Sequence, residues 1–279
     1  MSGTVLAAVL CAALMHAGWN VLVKARGDAF LATVTVAVSA GILCALALPF
    51  LAPPAPASWP FIAASSLAQV LYYRLLTATY RSGEISHAYP IMRGCAPLIV
   101  ALLALPLTGE RLAAPQWLAI ALICGGVLAM VGSTRTAQPH AGRTTLLALA
   151  TACVIAAYTL IDGIGVRRSG AAAAYTLWIF LFTAIGVLAL AWARRRELLP
   201  FVRANPALPF GGGAMTLGSY GVALWAMTQA PVAVVAALRE TSILFATAIA
   251  VLFLRERVAP LRLGATALIA CGVVVMRLH

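Results

Sequence analysis

The sequence predicts an all-α integral membrane protein with ten transmembrane helices, arranged as two inverted five-helix repeats. Three observations predict it. Of 279 residues, 63% are hydrophobic and only 9% charged, with a mean hydropathy of +1.00, whereas soluble domains carry roughly 25% charged residues. Apolar stretches long enough to cross a bilayer recur along the whole chain. The second half of the chain then repeats the first at a fixed spacing.

The stretches fall at 4–23, 29–51, 59–80, 85–107, 114–132, 144–165, 171–193, 207–230, 231–254 and 258–276. Crossing a hydrocarbon core of about 30 Å takes roughly 20 residues of helix. The first stretch has no Lys or Arg before Thr4, so it lacks the charged start of a signal peptide and reads as a permanent span. KARGD at 24–28 closes it, and APPAPAS at 52–58 closes the second. Pro90, Gly94 and Pro97 interrupt the fourth, which predicts a bent helix. TGERLAAP at 108–115 precedes the fifth, with Pro115 placed for a first helical turn. Glu110 there, and Glu256 before the tenth span, sit where a helix N-terminus favours a carboxylate. STRTAQPHAGR at 133–143 is the longest polar stretch and divides the chain almost in half. Arg194, Arg195 and Arg196 close the seventh span, and Pro231 starts the ninth almost without a loop.

At a spacing of 146 positions, Arg93 pairs with Arg239, Glu110 with Glu256, Arg111 with Arg257, Ala113 with Ala259, Gly126 with Gly272 and Met130 with Met276. Earlier in each half the offset drifts to about 139, which matches a change in loop length and only weakly aligns residues 16–20 with 155–159. The expected units are 1–135 and 144–279, joined by a linker at 136–143. An odd number of spans per half makes the second unit enter the membrane upside down, and inverted repeats are the architecture of alternating access, with the substrate near the midplane.

The formal charge of +12 would point to a polyanion in a soluble domain. Here the basic residues sit between apolar runs, as at Lys24 and Arg26, where they orient helices against head groups; nucleic acid is not an expected partner. Cys11, Cys44, Cys95, Cys124, Cys153 and Cys271 are isolated, without a CxxC pair or a His cluster, so neither a disulfide framework nor a metal site is expected. No nucleophile and base pair marks an enzyme.

The candidate site is a set of polar residues inside apolar spans. Arg93 and Arg239 lie about eight residues into the fourth and ninth spans, about 12 Å from the entry surface at 1.5 Å per residue. A charge at that depth costs about 2.5–3.5 kcal/mol and generally faces a cavity or a partner. Two guanidinium forks suit a carboxylate or a phosphate; the competing reading is neutralisation by Glu240 or Asp162. Glu240 is the deepest acid and, with Asp162 near the end of the sixth span, is the candidate for carrying a coupling proton. His16, Trp19 and Asn20 form a polar stripe on the first span. Tyr73, Tyr89, Tyr158 and Tyr220 complete the expected substrate-binding set.

With TGERLAAPQWLAIALICGGVLAM at 108–130 and its repeat, the chain resembles the EamA family of the drug/metabolite transporter superfamily, across essentially its whole length. The resemblance implies ten helices in two repeats, transport of small metabolites, often by efflux, and no dissociable cofactor. Smaller multidrug-resistance relatives carry an acid in the first helix; this chain has His16, Trp19 and Asn20 there, which argues against export of cationic drugs. The resemblance also implies cytoplasmic termini, whereas the excess of Lys and Arg in the connections after spans 1, 3, 5, 7 and 9 puts the termini outside. The expectation is a multi-pass secondary active transporter of a bacterial inner (cytoplasmic) membrane, monomeric or homodimeric. It would carry anionic or zwitterionic metabolites such as amino acids, organic acids or phosphate and phosphonate compounds, with protons as the coupling ion. The alternative is an exporter of lipophilic or amphiphilic compounds, or a lipid-carrier flippase, with Trp19, Tyr73 and Trp225 lining the cavity.

Overall fold

The computed structural model describes residues 1–24, 26–133, 141–252 and 260–278. Twelve α-helices follow one another among them: α1 (Gly3–Lys24), α2 (Ala29–Ala47), α3 (Trp59–Ser82), α4 (Ile85–Thr108), α5 (Ala114–Ala129), α6 (Ala141–Ser169), α7 (Ala172–Leu190), α8 (Arg195–Ala204), α9 (Gly213–Met227), α10 (Val232–Arg239), α11 (Ser242–Leu252) and α12 (Pro260–Leu278). Seven segments among the described residues are long and apolar enough to span a bilayer by themselves. The other three expected spans are α3, which carries Gln69, Arg74 and Arg81, and α5 and α9, which are only 16 and 15 residues long. A 3-10 turn at Met130–Ser133 lengthens α5, and a π turn at Leu208–Gly212 leads into α9.

Local chemistry sets the boundaries. The Asp28 carboxylate accepts from Leu31 N–H at 2.9 Å and caps α2, which satisfies one of the orphan amides of a first turn. Gly109 closes α4 with φ at 73°, a left-handed conformation that a Cβ disfavours. The fourth span is one continuous helix through Pro90, Gly94 and Pro97, with α3, α5, α6 and α10 packed against it.

The ninth span, which has no internal proline, is the broken one. Glu240 and Thr241 N–H turn to Ala237 O and Leu238 O at 3.0 and 3.1 Å, three residues back, and Thr241 Oγ1 also donates to Leu238 O at 2.7 Å. That side chain competes with the helical ladder. The span is therefore two half-helices, α10 and α11. The sixth span is also longer than expected, and Ala141–Arg143, assigned to the linker, form its first turn. Residues 134–140 and the Glu256–Arg257 half of the repeated turn lie outside the described residues.

The two halves interleave. Helix α1 packs on α9, α10 and α11 of the other half, while α6 packs on α3 and α4, and α2 lies on α7. The contact between α5 and α12 is two-fold. A Cβ at Gly126 would fall 2.8 Å from Ala265 O and from Ile269 Cγ1; one at Gly272 would fall 2.6 Å from Ile123 Cγ1 and 2.9 Å from Ala119 O. Each contact is the other shifted by the 146-residue spacing, and the helices run antiparallel, as an axis in the membrane plane requires.

One end of the bundle is clamped. Arg167 at the end of α6 donates to Met227 O and Ala230 O at 2.7 and 3.0 Å and meets Glu110 at 2.6 Å. Glu110 in turn accepts from Val232 N–H. Glu110 therefore caps α10 in the opposite half rather than α5, whose first turn is held by Gln116 accepting from Ala113 N–H at 2.9 Å. At this end Val232–Leu238 are all buried, whereas beyond the break Leu244–Thr247 are partly exposed.

Candidate functional site

Arg93 stands two turns into α4, and Arg239 is the last residue of α10, where the ninth span breaks. Their depth brings both charges to the middle of the bundle, but their surroundings differ. Arg93 Nε lies 2.9 Å from Glu240 Oε2, with the side chains 11% and 5% exposed. This ion pair joins the two halves. It lacks hydrogen-bond geometry, and Arg93 Nη2 is buried without a hydrogen-bond partner.

Arg239 makes no ion pair among the described residues. Its guanidinium lies over the Tyr220 ring at 4.9 Å, a cation–π contact. The Tyr220 hydroxyl donates to Asp162 Oδ2 at 2.5 Å, and Tyr175 Oη donates to Oδ1 at 3.1 Å. Asp162 is fully buried and lies well inside α6, not near its end. A Cβ at Gly165 would fall 2.2 Å from Tyr175 Oη, so that glycine makes room for the tyrosine.

Tyr158 stands one helical turn before Asp162, its ring 6.4 Å from that of Tyr220 and 6.0 Å from that of Tyr72. Tyr89 is within electrostatic reach of Arg93 and Glu240, and His16 within reach of both arginines. The space bounded by Arg93, Tyr158, Thr159, Ala236, Arg239 and Glu240 holds roughly one water.

The structure thus brings Arg93, Arg239, Glu240, Asp162, His16, Tyr89, Tyr158 and Tyr220 into one cluster. The rest of the expected set borders the cluster, with Tyr73 against the Tyr72 ring and Trp19 and Asn20 against His16. Tyr73 packs with Val34, Ala37, Val187 and Ala191 between α2 and α7, because one residue of helix turns a side chain by about 100°; Tyr72 takes the place expected for it. Trp19 packs with Ala32, Val36 and Leu208, its Nε1 donating to His16 Nδ1 at 3.4 Å, and Asn20 donates to His16 O at 2.7 Å within its own helix. Trp225, expected to line a cavity for lipophilic compounds, is 39% exposed. Tyr72 is legible in the sequence from its alignment with Gln69 and Tyr73 on the third span, whereas Tyr175, which donates to Asp162, is the residue that sequence reasoning missed.

The family model of EamA-like transporters matches residues 3–132 and 143–278. No curated protein matches the chain. A solved structure described only as "Crystal structure of protein" is similar over 100% of this chain and 98% of its own, with 16% identity and a TM-score of 0.75, a likeness of fold.

Proposed function

Since the chain belongs to the EamA-like transporter family, a family of multi-pass membrane transporters and not of enzymes, we propose that it carries small anionic or zwitterionic metabolites by alternating access. The observation that carries this reading is Arg239, a midplane cation that lies over the Tyr220 ring and makes no ion pair among the described residues. Holding such a charge in a bilayer is costly, and a substrate carboxylate or phosphate offsets that cost through charge-assisted hydrogen bonds. Amino acids, organic acids and phosphate or phosphonate compounds all present such a group. The units 1–135 and 144–279 move against each other about the site. On the same reading Glu240 and Asp162 are the groups that could carry a coupling proton, and the protein resides in a bacterial inner membrane.

The test is thermal stabilisation of the purified protein by succinate, glutamate, alanine and inorganic phosphate, with tetraphenylphosphonium as a cationic control. Stabilisation by the anions or zwitterions alone is expected, with Arg239→Gln losing about tenfold or more in affinity while staying folded. Equal stabilisation of both proteins by the cation would replace this reading with the exporter of lipophilic compounds.

A further inference from the structure

The 146-residue spacing makes Arg93 and Arg239 equivalent, and it makes Gly94 the equivalent of Glu240. At Gly94 a Cβ would fall 2.6 Å from Leu128 Cγ and 3.2 Å from Cys124 O. The glycine supplies no acid there, and of the two arginines only Arg93 makes an ion pair with a carboxylate among the described residues. We propose, on the premise that the site takes anions, that Glu240 is a tethered competitor for the substrate: it occupies Arg93 in the empty transporter and is displaced when a substrate anion spans Arg93 and Arg239.

Three features support this. The pair is poorly made, since the Arg93 Nε contact lacks hydrogen-bond geometry and Nη2 is buried with no partner. A planar carboxylate or a phosphate fills a guanidinium fork with two parallel bonds, so a free anion has more to gain at Arg93 than Glu240 has. Glu240 also sits in the turn between α10 and α11, where its backbone can move without breaking a continuous helical ladder.

The charged and titratable groups facing this pair are His16 from α1, Tyr72 and Tyr80 from α3, Tyr89 from α4, Cys124 from α5, Tyr158 from α6 and Arg239 from α10. Once the substrate engages both arginines, a displaced Glu240 has no free arginine among them. Its charge is most simply removed by a proton, which links anion binding to the uptake of one proton and strengthens binding as pH falls.

The experiment is titration of the purified protein with succinate, glutamate and inorganic phosphate at acid and neutral pH. The parent, Glu240→Gln, Arg93→Gln/Glu240→Gln and His16→Gln variants are compared. Glu240→Gln should bind about tenfold more tightly at neutral pH and lose the pH dependence, which His16→Gln should keep. The double variant, which removes both charges and so leaves no buried ion unpaired, should bind more weakly than the parent at acid pH. If Glu240→Gln does not fold, the double variant decides: weaker binding than the parent supports the proposal, and unchanged binding overturns it. Glu240→Gln binding no better than the parent, or as pH-dependently, also overturns it. Failure of the parent to bind any of the three overturns the anion reading itself, and this inference with it.

Discussion

Tyr220 does two things with two parts of one side chain. Its ring supports Arg239 at 4.9 Å, and its hydroxyl donates to the buried Asp162 at 2.5 Å. Tyr220→Phe separates them. It should cost about 1–3 kcal/mol of stability, the usual penalty for leaving a buried acceptor short of a donor, while anion affinity changes little because the ring remains under Arg239. Tyr220→Ala should lose both stability and affinity. Chemical denaturation together with ligand titration reads the two effects apart, and equal affinity loss in both variants would refute the division. The arginines and Glu240 were legible in the sequence because a charge inside an apolar run is conspicuous. Neutralisation by Glu240 was legible as the competing reading, but which arginine it pairs with, the part played by Tyr175 and the choice of Tyr72 over Tyr73 depend on which helices touch, and periodicity along a single helix leaves that open.

The elements most hidden from the sequence are those that do not cross the membrane or that depend on another half for their ends. Helix α8, ten residues with Arg195, Arg196 and Arg203, is too short and too charged to register as a span. It is tethered through Arg194, which bonds Asp28 at 2.6 Å and also Glu197. Partial burial pushes the Asp28 carboxyl up, but the hydrogen bonds from Arg194 and Leu31 N–H outweigh it and hold the group below its ordinary value. A carboxylate depressed in this way stabilises above its unfolded pKa and loses that contribution as pH falls through its folded pKa. The tether should therefore hold at neutral pH and release only below the ordinary carboxylate range of about 4, which hydrogen exchange in α8 would follow; release near neutrality would contradict it. The clamp at the opposite end has the same tertiary origin. Glu110→Ala leaves Val232 N–H and Arg167 without their carboxylate and should cost about 2 kcal/mol, with faster exchange concentrated in α10.

At the scale of the molecule, duplication accounts for both what repeats and what does not. The glycines 126 and 272 keep the two-fold contact of α5 with α12, while Glu240 against Gly94 breaks the symmetry where the charges lie. The repeat spacing was readable from identities at the end of each half. The interleaving, with α1 on α9 and α6 on α3, was not, since no short-range pattern says which half a helix joins. The two-fold contact has a direct energetic consequence. A valine at Gly126 or at Gly272 places its side chain against backbone and isoleucine atoms of the facing helix, and overpacking of that kind costs about 1–3 kcal/mol. Because the two sites are images of each other, Gly126→Val and Gly272→Val should destabilise to a similar extent. Both force α5 from α12, so a helix pair opened by the first substitution already has room for the second, and the double variant should cost clearly less than the sum of the singles. Thermal unfolding of the three variants in one detergent measures this. A fully additive double variant would mean that the two glycines pack independently and that no shared axis runs between the helices.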